Sequence, residues 1–131
     1  MLVADIMTTN NLAIISPMAS VRDALNTMRE TKVKSLIVNK LNTSDAYGIL
    51  TYKNILQSIV AEEGDIDLLN VYDICSKPAI QISKELNVKY AAKMMVNQSI
   101  KRILVIDNNE LEGILTMSNI LEVLMKQAQE V

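Results

Sequence analysis

Nine residues, Gly48-Ile49-Leu50-Thr51-Tyr52-Lys53-Asn54-Ile55-Leu56, recur as Gly113-Ile114-Leu115-Thr116-Met117-Ser118-Asn119-Ile120-Leu121, with seven of the nine positions identical. The match extends upstream. Val3-Ala4-Asp5-Ile6 answers Val71-Tyr72-Asp73-Ile74 at a shift of 68. Val21, Ala24, Met28, Val33 and Val38 answer Val88, Ala91, Met95, Ile100 and Val105 at a shift of 67, and Gly48 and Gly113 stand 65 apart. A shift that drifts in this way is what small length changes in loops leave behind, so the chain is a duplication. Its fold must be built from two like halves, read here as residues 1–63 and 64–131.

Each half follows the same plan. A short apolar segment, residues 12–15 or 80–82, is predicted to be a strand. A capped helix follows, from Ser20 with Asp23 three residues on, and from Asn87 in the second copy. Val21, Leu25 and Met28 share one helical face, as do Val88, Ala91, Ala92 and Met95. Residues 35–38 and 102–106 are short, apolar and rich in β-formers, hence buried strands. Polar loops at 39–45 and 107–109 lead into the Gly-Ile-Leu strand, which feeds a final helix carrying Ile55, Leu56, Ile59 and Val60 or Ile120, Leu121, Leu124 and Met125. The acidic stretch 62–67 reads as the connection between copies. The expected class is α+β: two tandem β-α-β-β-α repeats that share an interface with pseudo-twofold symmetry, because about 60 residues hold little independent core. The stripes on the final helices are available to a second chain.

Composition narrows the function. The 131 residues contain no His, which excludes His-based acid–base chemistry, Ser-His-Asp hydrolysis and His metal sites. The single Cys75 allows no internal disulfide and no thiolate zinc cluster, and it suits a reducing cytoplasm. It aligns with the apolar Met7 and reads as packing. A net charge of -2 and a pI near 5.1 speak against a nucleic-acid partner. No apolar run approaches the roughly 20 residues of a membrane span, and the N-terminus lacks the pattern of a signal peptide. The acidic residues Glu62, Glu63, Asp65 and Asp67 lack the spacing of a calcium loop.

The duplicated unit closely resembles a tandem pair of CBS domains (the cystathionine β-synthase regulatory domain), a pair often called a Bateman module. Four elements carry the resemblance: Asp5-Ile6-Met7 as entry motif, the Ser20-Val21-x-x-Ala24-x-x-x-Met28 helix, the Leu36-Ile37-Val38 strand, and Gly48-Ile49-Leu50-Thr51-x-x-Asn54-Ile55. The second copy repeats all four from Asp73-Ile74-Cys75, so the resemblance covers residues 3–127. It implies a regulatory module that binds an adenosyl compound, an adenine nucleotide or S-adenosylmethionine, in clefts between repeats. It also implies pairing into a homodimer and no required cofactor. No effector segment remains once both repeats are assigned, so the expected reading is a stand-alone pair that signals to another protein.

The resemblance places a ligand at Thr51 and Asn54 in one copy and at Thr116 and Asn119 in the other. By spacing alone, each Thr caps its own helix. A helix start also offers unpaired N–H groups and partial positive charge to a phosphate. Asn54 and Asn119 replace the Asp that takes the ribose diol in the family, and an amide presents one acceptor oxygen where a carboxylate presents two. Lys34 and Arg102 border the expected clefts, with Arg102 suited to grip a phosphate; Ala13, Ile14, Gln81 and Ile82 would wall the base. The second copy is expected to hold the better site. The alternative is a ligand-free dimeric interaction module. Neither catalysis nor nucleic-acid or membrane binding is expected.

Overall fold

A computed structural model describes residues 1–130. The chain forms two compact units: Ala13–Ala79, and Met1–Leu12 together with the chain from Ile80 onward. The lead-in of each sequence repeat thus belongs to the unit built on the other repeat.

In the 13–79 unit, β1 (Ile14–Ile15) lies parallel to β2 (Ser35–Val38), joined through α2 (Val21–Thr31). β2 then pairs antiparallel with β3 (Gly48–Thr51). A parallel neighbour requires a crossover, which α2 provides. Ser20 starts that helix by accepting a hydrogen bond from the Asp23 N–H at 3.1 Å, as its spacing predicts. Lys32 ends it in a left-handed conformation. Val21, Ala24 and Met28 drop from the helix onto Ile15, Leu36, Val38 and Leu50, while Leu25 packs at the margin. β3 runs directly into α3 (Tyr52–Ile55), continued by a π-helix over Leu56–Ala61. Residues 62–70 are more than a solvated connection: Ile66 and Leu69 pack against the core, and Asp67 pairs with Arg22 at 2.5 Å. The short helix α4 (Val71–Ile74) buries Val71 and Ile74 in the same core.

The other unit repeats this plan. The short helix α1 (Val3–Ile6) leads in, and β4 (Gln81–Ile82) lies parallel to β5 (Arg102–Asp107) across α5 (Val88–Gln98). β5 pairs antiparallel with β6 (Glu110–Thr116), which feeds α6 (Met117–Gln129). Val3, Ile82, Ala91, Met95, Ile103, Val105 and Leu115 form its core. Val88 and Ala92, assigned by periodicity to the same face as Ala91 and Met95, are only half-buried. The predicted β-α-β-β-α order therefore stands, with a four-residue helix ahead of each copy. In α6, Ile120 packs inward while Leu121, Leu124 and Met125 remain exposed; in the first copy Ile55 and Ile59 pack inward while Tyr52, Leu56 and Val60 are exposed. Only one side of each final helix meets its own sheet.

An ion pair in the 13–79 unit sets an acid limit. Lys77 Nζ donates to Asp45 Oδ2 at 2.5 Å, with side chains only 16% and 18% exposed. Led by that hydrogen bond, Lys77 and the Leu41 N–H hold the Asp45 carboxyl down at about 2, below its ordinary 3.8. A depressed carboxyl contributes stability above its unfolded value and loses it as pH falls through the folded one. Wild-type stability should therefore decline between about pH 4 and pH 2. Lys77→Met should flatten that decline when urea unfolding is followed across this range.

Candidate functional site

Two like constellations arise where a strand turns into a final helix. In the 80–130 unit, Thr116 is the last residue of β6 and the N-cap of α6. Its Oγ1 accepts from the Asn119 N–H at 3.2 Å, while Asn119 Oδ1 accepts from the Thr116 N–H at 2.8 Å and from the Thr116 hydroxyl at 3.0 Å. This is a reciprocal capping box, with Asn where Glu or Gln is usual. Met117 N–H donates to the Lys101 carbonyl at 2.9 Å. Three of the four free N–H groups at the helix start are thus satisfied internally, leaving Ser118.

Arg102 begins β5 and stands directly opposite Thr116 in the ladder. Cross-strand partners of this kind project from the same sheet face. Arg102 is half-buried, and among the described residues its guanidinium has no hydrogen-bond or ion-pair partner. Burial alone lowers its proton affinity below the ordinary value, and it remains charged. A cation withdrawn from water without a counter-charge is unfavourable, so an anion from outside would be welcome there.

The 13–79 unit has the same box and lacks the cation. Thr51 Oγ1 accepts from the Asn54 N–H at 3.5 Å, and Asn54 Oδ1 accepts from the Thr51 N–H at 2.9 Å. The residue opposite Thr51 is Ser35. Lys34 precedes that position, is exposed, and corresponds to Lys101 rather than to Arg102. The register also matches Ile82 to Ile15, both in their cores, and Gln81 to Ile14, both exposed. Ala13 is half-buried, and its carbonyl accepts from the Ile37 N–H.

Each Asn has a further partner absent from the sequence expectation. Asn119 Nδ2 donates to Thr8 Oγ1 at 3.2 Å, and Asn54 Nδ2 donates to Ser76 Oγ at 3.1 Å. Thr8 follows Asp5-Ile6-Met7 and Ser76 follows Asp73-Ile74-Cys75, so extending the repeat alignment by one or two residues would have revealed the matched hydroxyls.

Comparison with known proteins settles the family. The CBS-domain model matches twice, at residues 3–61 and 71–126. The chain belongs to the CBS-domain family. An uncharacterized protein of Methanopyrus kandleri is 32% identical over 110 residues, covering 82% of this chain and 55% of that protein, so the chain spans about half the length of this relative. The hexameric CBS-CP12 protein of bloom-forming cyanobacteria superposes with a TM-score of 0.85 at 32% identity, over 100% of this chain and 76% of that one. CBSX2, solved in complex with AMP, gives a TM-score of 0.79 at 25% identity, with 98% of each chain covered. Tandem CBS proteins are regulatory, and the CBS-CP12 protein and CBSX2 match this chain in its α+β class with two small three-stranded sheets. Among the described residues, no helix is long and apolar enough to cross a membrane.

Proposed function

We propose that this CBS pair, with repeats 1–63 and 64–131, is a cytoplasmic sensor that binds an adenosyl compound and passes its occupancy to a partner protein without catalysis. The carrying observation is the half-buried, unpartnered Arg102 opposite the Thr116 cap. It would take the phosphate of AMP, ADP or ATP, with the Ser118 N–H and the start of α6 adding positive potential. Asn119 would contact the ribose, and exposed Gln81 would border the base. Thr51, Asn54, Ile14 and Lys34 would form a weaker counterpart, because Ser35 replaces the cation. S-adenosylmethionine, itself a cation, fits the Arg102 environment less well. The AMP complex of CBSX2 supports the ligand class.

The exposed stripes on both final helices favour a homodimer, whether or not a ligand binds. If the sites are vacant, the module acts by assembly alone. Calorimetric titration against AMP, ADP, ATP, S-adenosylmethionine and adenosine, with turnover followed in parallel, separates these readings. Saturable binding of phosphorylated ligands without turnover is expected. Absence of both heat and thermal stabilisation at millimolar ligand overturns the sensor and leaves the interaction module. Thr116→Ala should weaken ATP binding several-fold and Thr51→Ala much less; equal affinities would remove the ranking of the two sites.

A further inference from the structure

The Asn amides at both boxes can take only one orientation. Asn119 Oδ1 accepts from two donors of Thr116, the N–H and the hydroxyl. Flipping the amide would set Nδ2 against the Thr116 N–H, donor against donor. Nδ2 must therefore point away from Thr116, and it donates to Thr8 Oγ1. The family Asp could only accept at this position, so the hydroxyl would have to donate to it. Asn reverses the direction of that bond. The same arrangement recurs at Asn54 and Ser76.

Thr8 is also fixed through its backbone. Its N–H donates to the Ile114 carbonyl and its carbonyl accepts from the Ile114 N–H, both at 2.9 Å. Ser76 does the same with Ile49, again at 2.9 Å in both directions. Each lead-in therefore holds the strand two residues before the Thr cap and the side chain three residues after it. Thr8 and Asn119 lie 111 residues apart in sequence, so a local turn does not explain their bond.

We propose that Thr8 and Ser76 are positioning residues that fix the amides of Asn119 and Asn54, making lead-in docking and order at each Thr-x-x-Asn box a single coupled element. Resting on the function proposed above, this coupling is the route by which occupancy of a box reaches the lead-in. Linkage requires reciprocity: a ligand that favours the ordered box favours the docked lead-in by the same factor.

The test compares the full chain with Thr8→Val, which keeps shape and removes the acceptor, and with Thr8→Ser, which restores it. Without ligand, Thr8→Val should move the Asn119 side-chain amide resonances and speed exchange at the Thr8 and Ile114 amides by about fivefold. Thr8→Ser should reverse both effects, and Ser76→Val should act on Asn54 and Ile49 alone. Unchanged Asn119 resonances in Thr8→Val, or a change that Thr8→Ser leaves in place, would overturn the positioning role. With ATP as probe, Thr8→Val should bind about fivefold more weakly than wild type. Equal ATP affinity would overturn the relay to the lead-in. If wild type takes up no adenine nucleotide, the sensor function fails, while resonances and exchange still decide the coupling.

Discussion

Replacing Gly113 by Ala should destabilise the protein by about 3 kcal/mol, at the upper end of ordinary overpacking, whereas Gly48→Ala should cost about 1 kcal/mol. The two glycines occupy the same place in the duplicated Gly-Ile-Leu strand, so a sequence argument alone would treat them alike. They differ in how closely a lead-in approaches. A Cβ on Gly113 would lie 2.5 Å from the Thr8 carbonyl oxygen, and one on Gly48 would lie 3.0 Å from the Ser76 carbonyl oxygen. The first separation cannot be tolerated, and its partner is backbone held by two hydrogen bonds to Ile114. Something must move, and the segment the new Cβ would strike is the lead-in at Thr8. Urea unfolding should show the stability difference between the variants. Amide exchange should locate the damage in residues 1–8 for Gly113→Ala. Equal losses for the two variants would refute the argument from close approach.

Most of the fold was legible because duplication allowed each weak local signal to be read twice. The Gly-Ile-Leu-Thr run marked a strand ending in a cap, and Ser20 with Asp23 marked the start of a helix. What escaped was non-local. Val3–Ile6 is only four residues long, too short to show helical period, and nothing within it says that it packs with residues beyond 80. The resemblance places both Lys34 and Arg102 beside a cleft, but the ladder sets Ser35, not Lys34, opposite Thr51, where Arg102 stands opposite Thr116. Asn54 and Asn119 looked like simple losses of a ribose carboxylate. In the structure each closes a capping box and reaches a lead-in hydroxyl, two roles whose partners are set by folding and only half visible in spacing.

Arg102→Met should produce effects of opposite sign on stability and on binding. Met has a similar unbranched reach and can lie over the same apolar surface, so packing is largely retained. Removing an unpartnered, half-buried cation should leave the ligand-free protein slightly more stable, a small gain because the part of the charge still in water is already solvated. The same change should weaken ATP or AMP by about 30-fold, equivalent to roughly 2 kcal/mol for a lost charge-assisted hydrogen bond. Adenosine carries no phosphate, so its affinity should stay within about twofold, against a tenfold step for every 1.4 kcal/mol. Thermal melts and calorimetry on one pair of proteins give all three values. A residue kept for packing would lose stability on substitution and leave the ligands unranked. A residue kept for an anion would gain stability and lose only the phosphorylated ligands. The ladder predicts a contrast in the other unit: Ser35→Met removes no cation, so it should leave the preference of that unit for phosphorylated over unphosphorylated ligands unchanged.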